Sequence, residues 1–180
     1  MKALWMAPVL LALLTVGCVK KPEGITPVDK FAAPRYLGKW YEIARLDHSF
    51  ERGLNNVTAE YSMRDDGGIK VLNRGYNGAK SEWKDAEGKA YFVETPDVGY
   101  LKVSFVGPFY GSYIVFDLDQ QNYTHSMISG PDKSYLWILS RTPKMDEATK
   151  KRLVEKARSL GFDTSKLIYV EHDKANQPTP

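Results

Sequence analysis

The sequence predicts an all-β fold, an eight-stranded up-and-down antiparallel barrel with one C-terminal α-helix packed outside it. Three observations predict it. From Gly38 to Arg141, strand signals and turn signals alternate at short spacing, which marks a sandwich or a barrel. Successive strands are joined by short links, residues 47–55 excepted, and sequential short links favour a meander. An amphipathic helix signal then follows the last strand. Closing the meander removes its open edges, and eight strands make a cylinder that side chains can fill or that can hold one small ligand.

The elements follow in chain order. Lys2 precedes an almost wholly apolar run, residues 3–16. It is short of the roughly 20 residues that span a bilayer, so residues 1–17 read as a signal peptide. The run ends in Leu14-Thr15-Val16-Gly17-Cys18, which resembles a lipobox, the signal whose cysteine becomes an acylated N-terminus. Cys18 is the one cysteine present. The mature domain is therefore expected to lack a disulfide, a thiolate nucleophile and a cysteine metal site. Residues 18–34 contain Pro22, Pro27, Pro34 and three lysines and read as the acylated cysteine plus a tether. The formal net charge is +3 with both signs interspersed, a solvated surface rather than a nucleic-acid footprint.

Residues 35–171 make the domain. The first strand opens at Gly38. In residues 56–64, Val57, Ala59, Tyr61 and Met63 alternate with polar neighbours, a half-buried strand. Asp65-Asp66-Gly67-Gly68 is a hairpin turn into residues 69–76. Residues 80–95 form a long polar-alternating strand in which Gly88 marks a bend or bulge. Residues 100–106, 113–118, 123–129 and 135–141 complete the set, with turns at 107–111, 119–122 and 130–133. Asp146 caps the helix, Leu153, Val154, Ala157 and Leu160 form its apolar stripe, and Gly161 ends it. A short strand at 167–170 and a loose tail, 172–180, close the chain. The first, sixth and eighth strands are apolar on both faces, so the helix stripe should cover them from outside.

Gly38-Lys39-Trp40-Tyr41 resembles the Gly-x-Trp motif that opens lipocalin barrels. Asp119–Tyr123 stands where that family has its second motif, and Arg141 where it has an arginine that packs across the tryptophan. Gly38–Arg45, Gly107–Gly111 and Tyr135–Arg141 look like the bacterial outer-membrane lipocalin lipoproteins in particular. The resemblance covers about residues 31 to 171. It implies a structural floor made by Gly38, Trp40 and Arg141, a fatty acid such as palmitate or a lysophospholipid as ligand, and no cofactor. It also implies outer-membrane attachment with the barrel in the periplasm. Val19, which is not an aspartate, fits outer-membrane sorting of that type of signal.

If Trp40 and Arg141 point inward, alternation carries the inner face along their strands. Glu42, Ala44 and Leu46 then face inward, as do Tyr135, Trp137 and Leu139. By the same rule Ala59, Tyr61, Val71, Asn73, Leu101, Val103, Phe105, Tyr113 and Val115 line the lumen, with Phe92 added if Gly88 does not shift its register. This lining is mostly apolar and aromatic, the make-up of a pocket for an amphipathic ligand, although the same residues could fill a solid core. Tyr61, Tyr113 and Asn73 can bond a head group, and Trp137 offers a flat wall. Asp117 departs from the small apolar residue expected there and falls on the expected inner face, where a carboxylate needs a partner or a raised pKa. Glu42 and Glu94 raise the same question. No lumenal Arg or Lys is evident.

The mouth would be formed by residues 47–55, 77–80, 107–111 and 130–134. Phe50, Leu54, Phe109 and Tyr110 there could gate access, touch the membrane, form a homodimer or fold back on the rim. His48, His125 and His172 fall on separate elements, which argues against a zinc site. No Gly-rich phosphate loop or Rossmann fingerprint occurs. Carriage of a lipid is the leading expectation. A lipid-modifying enzyme using His125, or a membrane-bound scaffold that binds nothing, are the alternatives.

Overall fold

The fold is that of a computed structural model, which describes residues 19–174. The expected signal peptide, Cys18 and the end of the tail lie outside the described residues. A four-residue helix, α1 (Ala33–Tyr36), leads into β1 (Gly38–Arg45). Then come β2 (Leu54–Met63), β3 (Ile69–Asn77), β4 (Glu82–Phe92), β5 (Tyr100–Val106), β6 (Phe109–Leu118), β7 (His125–Ser129) and β8 (Leu136–Ser140). Helix α2 (Glu147–Ser159), a 3-10 turn at Thr164–Lys166 and a two-residue strand, β9 (Ile168–Tyr169), complete the fold.

All pairings are antiparallel, and each of β2 to β8 pairs with its chain neighbour. β1 pairs with both β8 and β2, which closes the barrel. The β2 edge of β1 is shared: Gly38–Tyr41 pair with β2, and Ala44 and Arg45 pair with β9. The start of β1 and the end of β8 lie at one end, the floor. The end of β1 and the tip of the β5–β6 hairpin lie at the other, the mouth.

Alternation gives the barrel two apolar surfaces. The outer one joins Ile43, Ile114, Phe116, Met127, Leu136 and Ile138 to Leu153, Ala157 and Phe162, so α2 covers the doubly apolar strands as expected. Its ends are fixed by local chemistry. The Asp146 side chain accepts from the Thr149 amide at 2.9 Å. Gly161 (φ +88°) reverses the chain, with Gly161 N donating to Arg158 O and Phe162 N to Ala157 O, which satisfies the last carbonyls. The inner surface joins Trp40, Tyr61, Val71, Leu101, Val115, Ile128 and Leu139.

Four expectations are corrected. The 107–111 turn shrinks to Gly107-Pro108, and Phe109 already belongs to β6. Gly88 sits in an unbroken β3–β4 ladder rather than at a bulge. A Cβ there would meet Ser104 O and the Phe105 ring, each at 2.8 Å, so the glycine permits close approach of β5. Residues 19–34 do not hang free: Ile25 and Phe31 are buried, and Val28 N donates to Val115 O at 2.8 Å. The inner face also changes parity at bulges, two of which fall within the expected lining. A bulge at Ile43 pairs Glu42 with Leu139 and then Ala44 with Ile138. A bulge at Phe116 pairs Val115 with Ile128 and then Asp117 with Met127. One extra residue flips every later side chain. Ala44, Leu46 and Asp117 therefore turn outward, and Arg45 turns in.

Candidate functional site

The floor is built from an aromatic stack and one guanidinium. Trp40 is fully buried, and its Nε1 donates to Tyr36 O at 2.8 Å. The Arg141 guanidinium lies 3.9 Å from the Trp40 ring centroid. It also donates to the carbonyls of Tyr123, Lys39 and Arg35 at 3.2, 3.0 and 2.8 Å. Gly38 (φ +89°) starts β1 beside it, where a Cβ would sit 3.5 Å from Arg141 Nη1. Phe31 and Tyr36, from the segment before β1, plug the floor from within, their rings 5.1 Å apart and tilted by 50°. Tyr123 joins them through its hydroxyl, which accepts from Ala32 N at 3.0 Å. The tether reading of residues 18–34 missed Phe31, since Pro-rich composition does not reveal an aromatic folding back, and Tyr36, at the start of the expected domain, was not singled out.

Above the floor, Tyr113 OH lies 2.8 Å from Tyr36 OH and 2.8 Å from Tyr61 OH, and Tyr36 OH lies 3.3 Å from Ser126 Oγ. Burial pushes Tyr36 up to about 12 and holds Tyr61 and Tyr113 well above 10, so all three stay neutral donors. Four hydroxyls joined by three bonds leave one proton unshared, and the donor directions along the chain decide which hydroxyl keeps it. The void at this level is small. Lined by Tyr61, Val71, Leu101 and Tyr113 among others, this cavity of about 10 Å³ has the room of about one water.

Towards the mouth the lumen opens. Ala59, Asn73, Val103, Tyr113 and Trp137 are half-buried although they face inward, whereas Tyr61, Val71, Leu101 and Val115 are buried. In a closed barrel an inward side chain at this level meets solvent only through the mouth. Phe92 is half-buried at the floor end, 6.1 Å edge-on from Phe31. Phe105 keeps the inward parity but lies over Gly88 at the rim, 42% exposed, outside the enclosed lining.

One wall near the mouth is charged. Arg45, buried to 1% exposure, donates from Nη1 to Glu42 Oε1 at 2.7 Å and from Nη2 to the carbonyls of Glu51 and Leu54 at 3.0 and 3.1 Å. Glu51 Oε2 stands 3.9 Å from Arg45 Nε and accepts from Trp137 Nε1 at 3.0 Å. Burial, with Glu51 beside it, pushes the Glu42 carboxyl up to about 8 against the pull of Arg45, and burial raises Glu51 as well. Sequence reasoning missed Arg45 and Glu51, because only the Ile43 bulge turns Arg45 inward. His48 closes the rim, stacked on Tyr135 at 4.2 Å and on Phe50 at 5.3 Å.

The expected lumenal carboxylates resolve differently. Asp117 meets Lys156 of α2 at 2.6 Å and Arg152 at 3.8 Å on the outside, and Glu94 lies in the exposed loop after β4. His125 stands beside Arg152, its Nε2 2.8 Å from Nη2, on the helix side rather than in the lumen. Among the described residues, no three His, Cys, Asp or Glu side chains gather to hold a metal.

Comparison with known proteins agrees with this architecture. The lipocalin-like domain family matches residues 31–172. The chain is 57% identical to the outer membrane lipoprotein Blc of Vibrio cholerae over 171 residues, 95% of this chain and 99% of that one. It is 52% identical to Blc of Escherichia coli K12, covering 92% of this chain and 94% of that protein. Among solved structures, the cockroach allergen Per a 4 superposes with a TM-score of 0.67 at 21% identity, over 85% of this chain and 96% of that one, which speaks for the fold alone.

Proposed function

Because the chain belongs to the lipocalin-like domain family, we propose that its lumen takes up one single-chain amphiphile, a fatty acid or a lysophospholipid, and stores or carries it. The family is one of binding proteins, not enzymes. The place of action is the outer membrane, through a lipid anchor. Within this reading the barrel stands in the periplasm and Cys18 carries the acyl chains.

The observation that carries the reading is the half-open inner wall. Ala59, Asn73, Val103, Tyr113 and Trp137 face a space that water reaches only through the mouth. The acyl chain lies along Val103 and Trp137 and descends toward Tyr61, Val71, Leu101, Val115 and Phe92. Phe105 is the rim surface it crosses. The tight void beneath Tyr113 limits how deep a chain seats without side-chain rotation. The Tyr61–Tyr113 hydroxyls offer a neutral donor to a carbonyl or carboxyl oxygen. Gly38, Trp40 and Arg141 seal the end and make no ligand contact.

Titrating the purified protein with palmitate and with a lysophospholipid, and following tryptophan emission, tests this. A saturable change at one equivalent that disappears in Trp137→Phe is the expected result. Absence of any saturable change with either lipid overturns carriage and favours a scaffold that binds nothing.

A further inference from the structure

The inner face of the barrel continues past the enclosed lining on one pair of strands. β3 and β4 stay in register without a break from Ile69 opposite Ala90 to Asn77 opposite Glu82. Ile69, Val71 and Ala90 belong to the inner apolar cluster. Alternation along an unbroken ladder therefore carries the inner face up to Asn73 and Gly75 on β3 and to Ala86 and Lys84 on β4. The pairing of β4 with β5 ends lower, at Lys89 opposite Ser104. Above that level β3 and β4 continue at the mouth as a two-stranded ribbon. Ala86, on its inner face, is exposed, so this face looks onto open space rather than onto a core.

Four residues mark the corners of a square on that face. Asn73 pairs with Ala86, and Gly75 pairs with Lys84. Asn73 and Lys84 hold one diagonal, and the two small residues hold the other. Diagonal neighbours on one face stand about 7–8 Å apart, within reach of a long side chain. The small corners leave a hollow between an amide and an ammonium. Its side wall is apolar: a Cβ on Gly75 would meet Leu54 Cδ1 at 3.0 Å and Val57 Cγ2 at 3.3 Å.

The charges on the two faces of the ribbon differ. On the outer face Lys70 meets Glu87 at 2.8 Å and Arg74 meets Asp85 at 3.7 Å. On the inner face, neither the Lys84 ammonium nor the Asn73 amide has a hydrogen-bond or ion-pair partner among the described residues. Glu82 is the next inner residue, about 7 Å further from the lumen, at the exposed start of β4. The acids of the far wall, Glu42 and Glu51, are engaged by Arg45 and Trp137. The inner face at the mouth thus holds one uncommitted cation with a neutral donor diagonal to it.

We propose that Lys84, with Asn73 beside it, determines specificity by holding the anionic oxygen group, carboxylate or phosphate, of a lipid whose chain lies in the lumen. The inference rests on the proposed uptake of a single-chain amphiphile and adds a preference for charge. An ammonium on a flexible stem directs three N–H donors at either anion. Burial keeps the tyrosine hydroxyls deeper in the lumen neutral, so they bond charged and uncharged oxygens alike. Lys84 supplies the discrimination they lack.

The test titrates the full mature lipoprotein with palmitate, with palmitoyl-lysophosphatidylglycerol and with uncharged monopalmitoylglycerol, reading affinity from tryptophan emission at low and high salt. Lys84→Met should weaken binding of the two anions about three- to fivefold, the worth of a solvated charge pair, and leave the uncharged lipid unchanged. Lys84→Glu should weaken the anions further, and Lys84→Arg should restore them. Salt should reduce the wild-type preference for anions and change Lys84→Met little. Lys89→Met removes a cation from the outer face of the same strand and should match wild type. A loss confined to one anion supports the proposal and names the source of the oxygens. Anion affinities that ignore Lys84, or an equal loss for all three lipids, overturn the inference and leave uptake by the lumen standing. A wild-type protein that binds none of the three overturns both.

Discussion

The two halves of the barrel are built on different terms. At the floor, polar groups are paired and the interior is filled: Trp40 donates to Tyr36, and Arg141 reaches three carbonyls while stacking on the indole. Towards the mouth, the inward-facing Asn73, Val103, Tyr113 and Trp137 stay half-buried. Two buried nitrogens there, Arg45 Nε and His48 Nε2, have no hydrogen-bond partner among the described residues. A filled, satisfied region supplies stability, and an open region with spare hydrogen-bonding capacity supplies binding. The floor should therefore respond to mutation in stability, and the mouth half in ligand affinity.

The largest expected effect breaks the floor. Trp40→Ala removes a fully buried indole and should cost about 3–5 kcal/mol in urea unfolding. Lipid affinity per folded molecule should hold. A Trp40→Ala protein of normal stability would mean that the floor is not the stabilising half.

Arg45→Met comes next. It leaves Glu42 and Glu51 buried without their cation, and breaking a buried pair costs about 3 kcal/mol. Here stability and lipid binding should fall together, because Arg45 also pins the loop through Glu51 O and Leu54 O.

The pH dependence sharpens the same point. Glu42 releases its proton near 4.5 in the unfolded chain and near 8 in the folded one. Between those values the folded protein binds more protons, so stability is highest on the acid side and is lost as pH rises through 8. Glu51, also raised, adds the same sign. His48 and His172, pushed down by burial, act oppositely but only below 6.5. Melting temperature should thus fall between pH 6.5 and 8.5, and Glu42→Gln should flatten that fall. An equal slope in the variant would remove Glu42 from the account.

Smaller effects belong to single hydroxyls and surface charges. Tyr61→Phe should weaken lipid binding about fivefold, the worth of one hydrogen bond at about 1 kcal/mol, with little change in melting temperature. Lys156→Ala should cost at most about 1 kcal/mol, since its Asp117 partner is buried but the ammonium is solvated. Calorimetry should find lipid affinity unchanged in that variant, as fits an Asp117 outside the lumen.

Much of this was legible beforehand. The strand–turn rhythm marked the eight barrel strands, and the outer helix followed from three strands apolar on both faces. Trp40 and Arg141 meet at the floor as their motif implies. The inward set failed at particular residues. Ala44, Leu46 and Asp117 were assigned by alternation and lie outward, each just after a bulge. Phe31 looked like tether, and with Tyr36 it forms the plug.

What the sequence determined by itself is whatever depends on near neighbours: period-two patterning, turn residues, the Asp146 cap and the Gly161 stop. Tertiary structure alone decided where strands bend. The bulges at Ile43 and Phe116 are defined by the register against β8 and β7, partners on other strands of the pattern, and period-two patterning does not record them. They placed Arg45 in the lumen and Asp117 against the helix, so the charge inside the barrel was set by closure rather than by alternation.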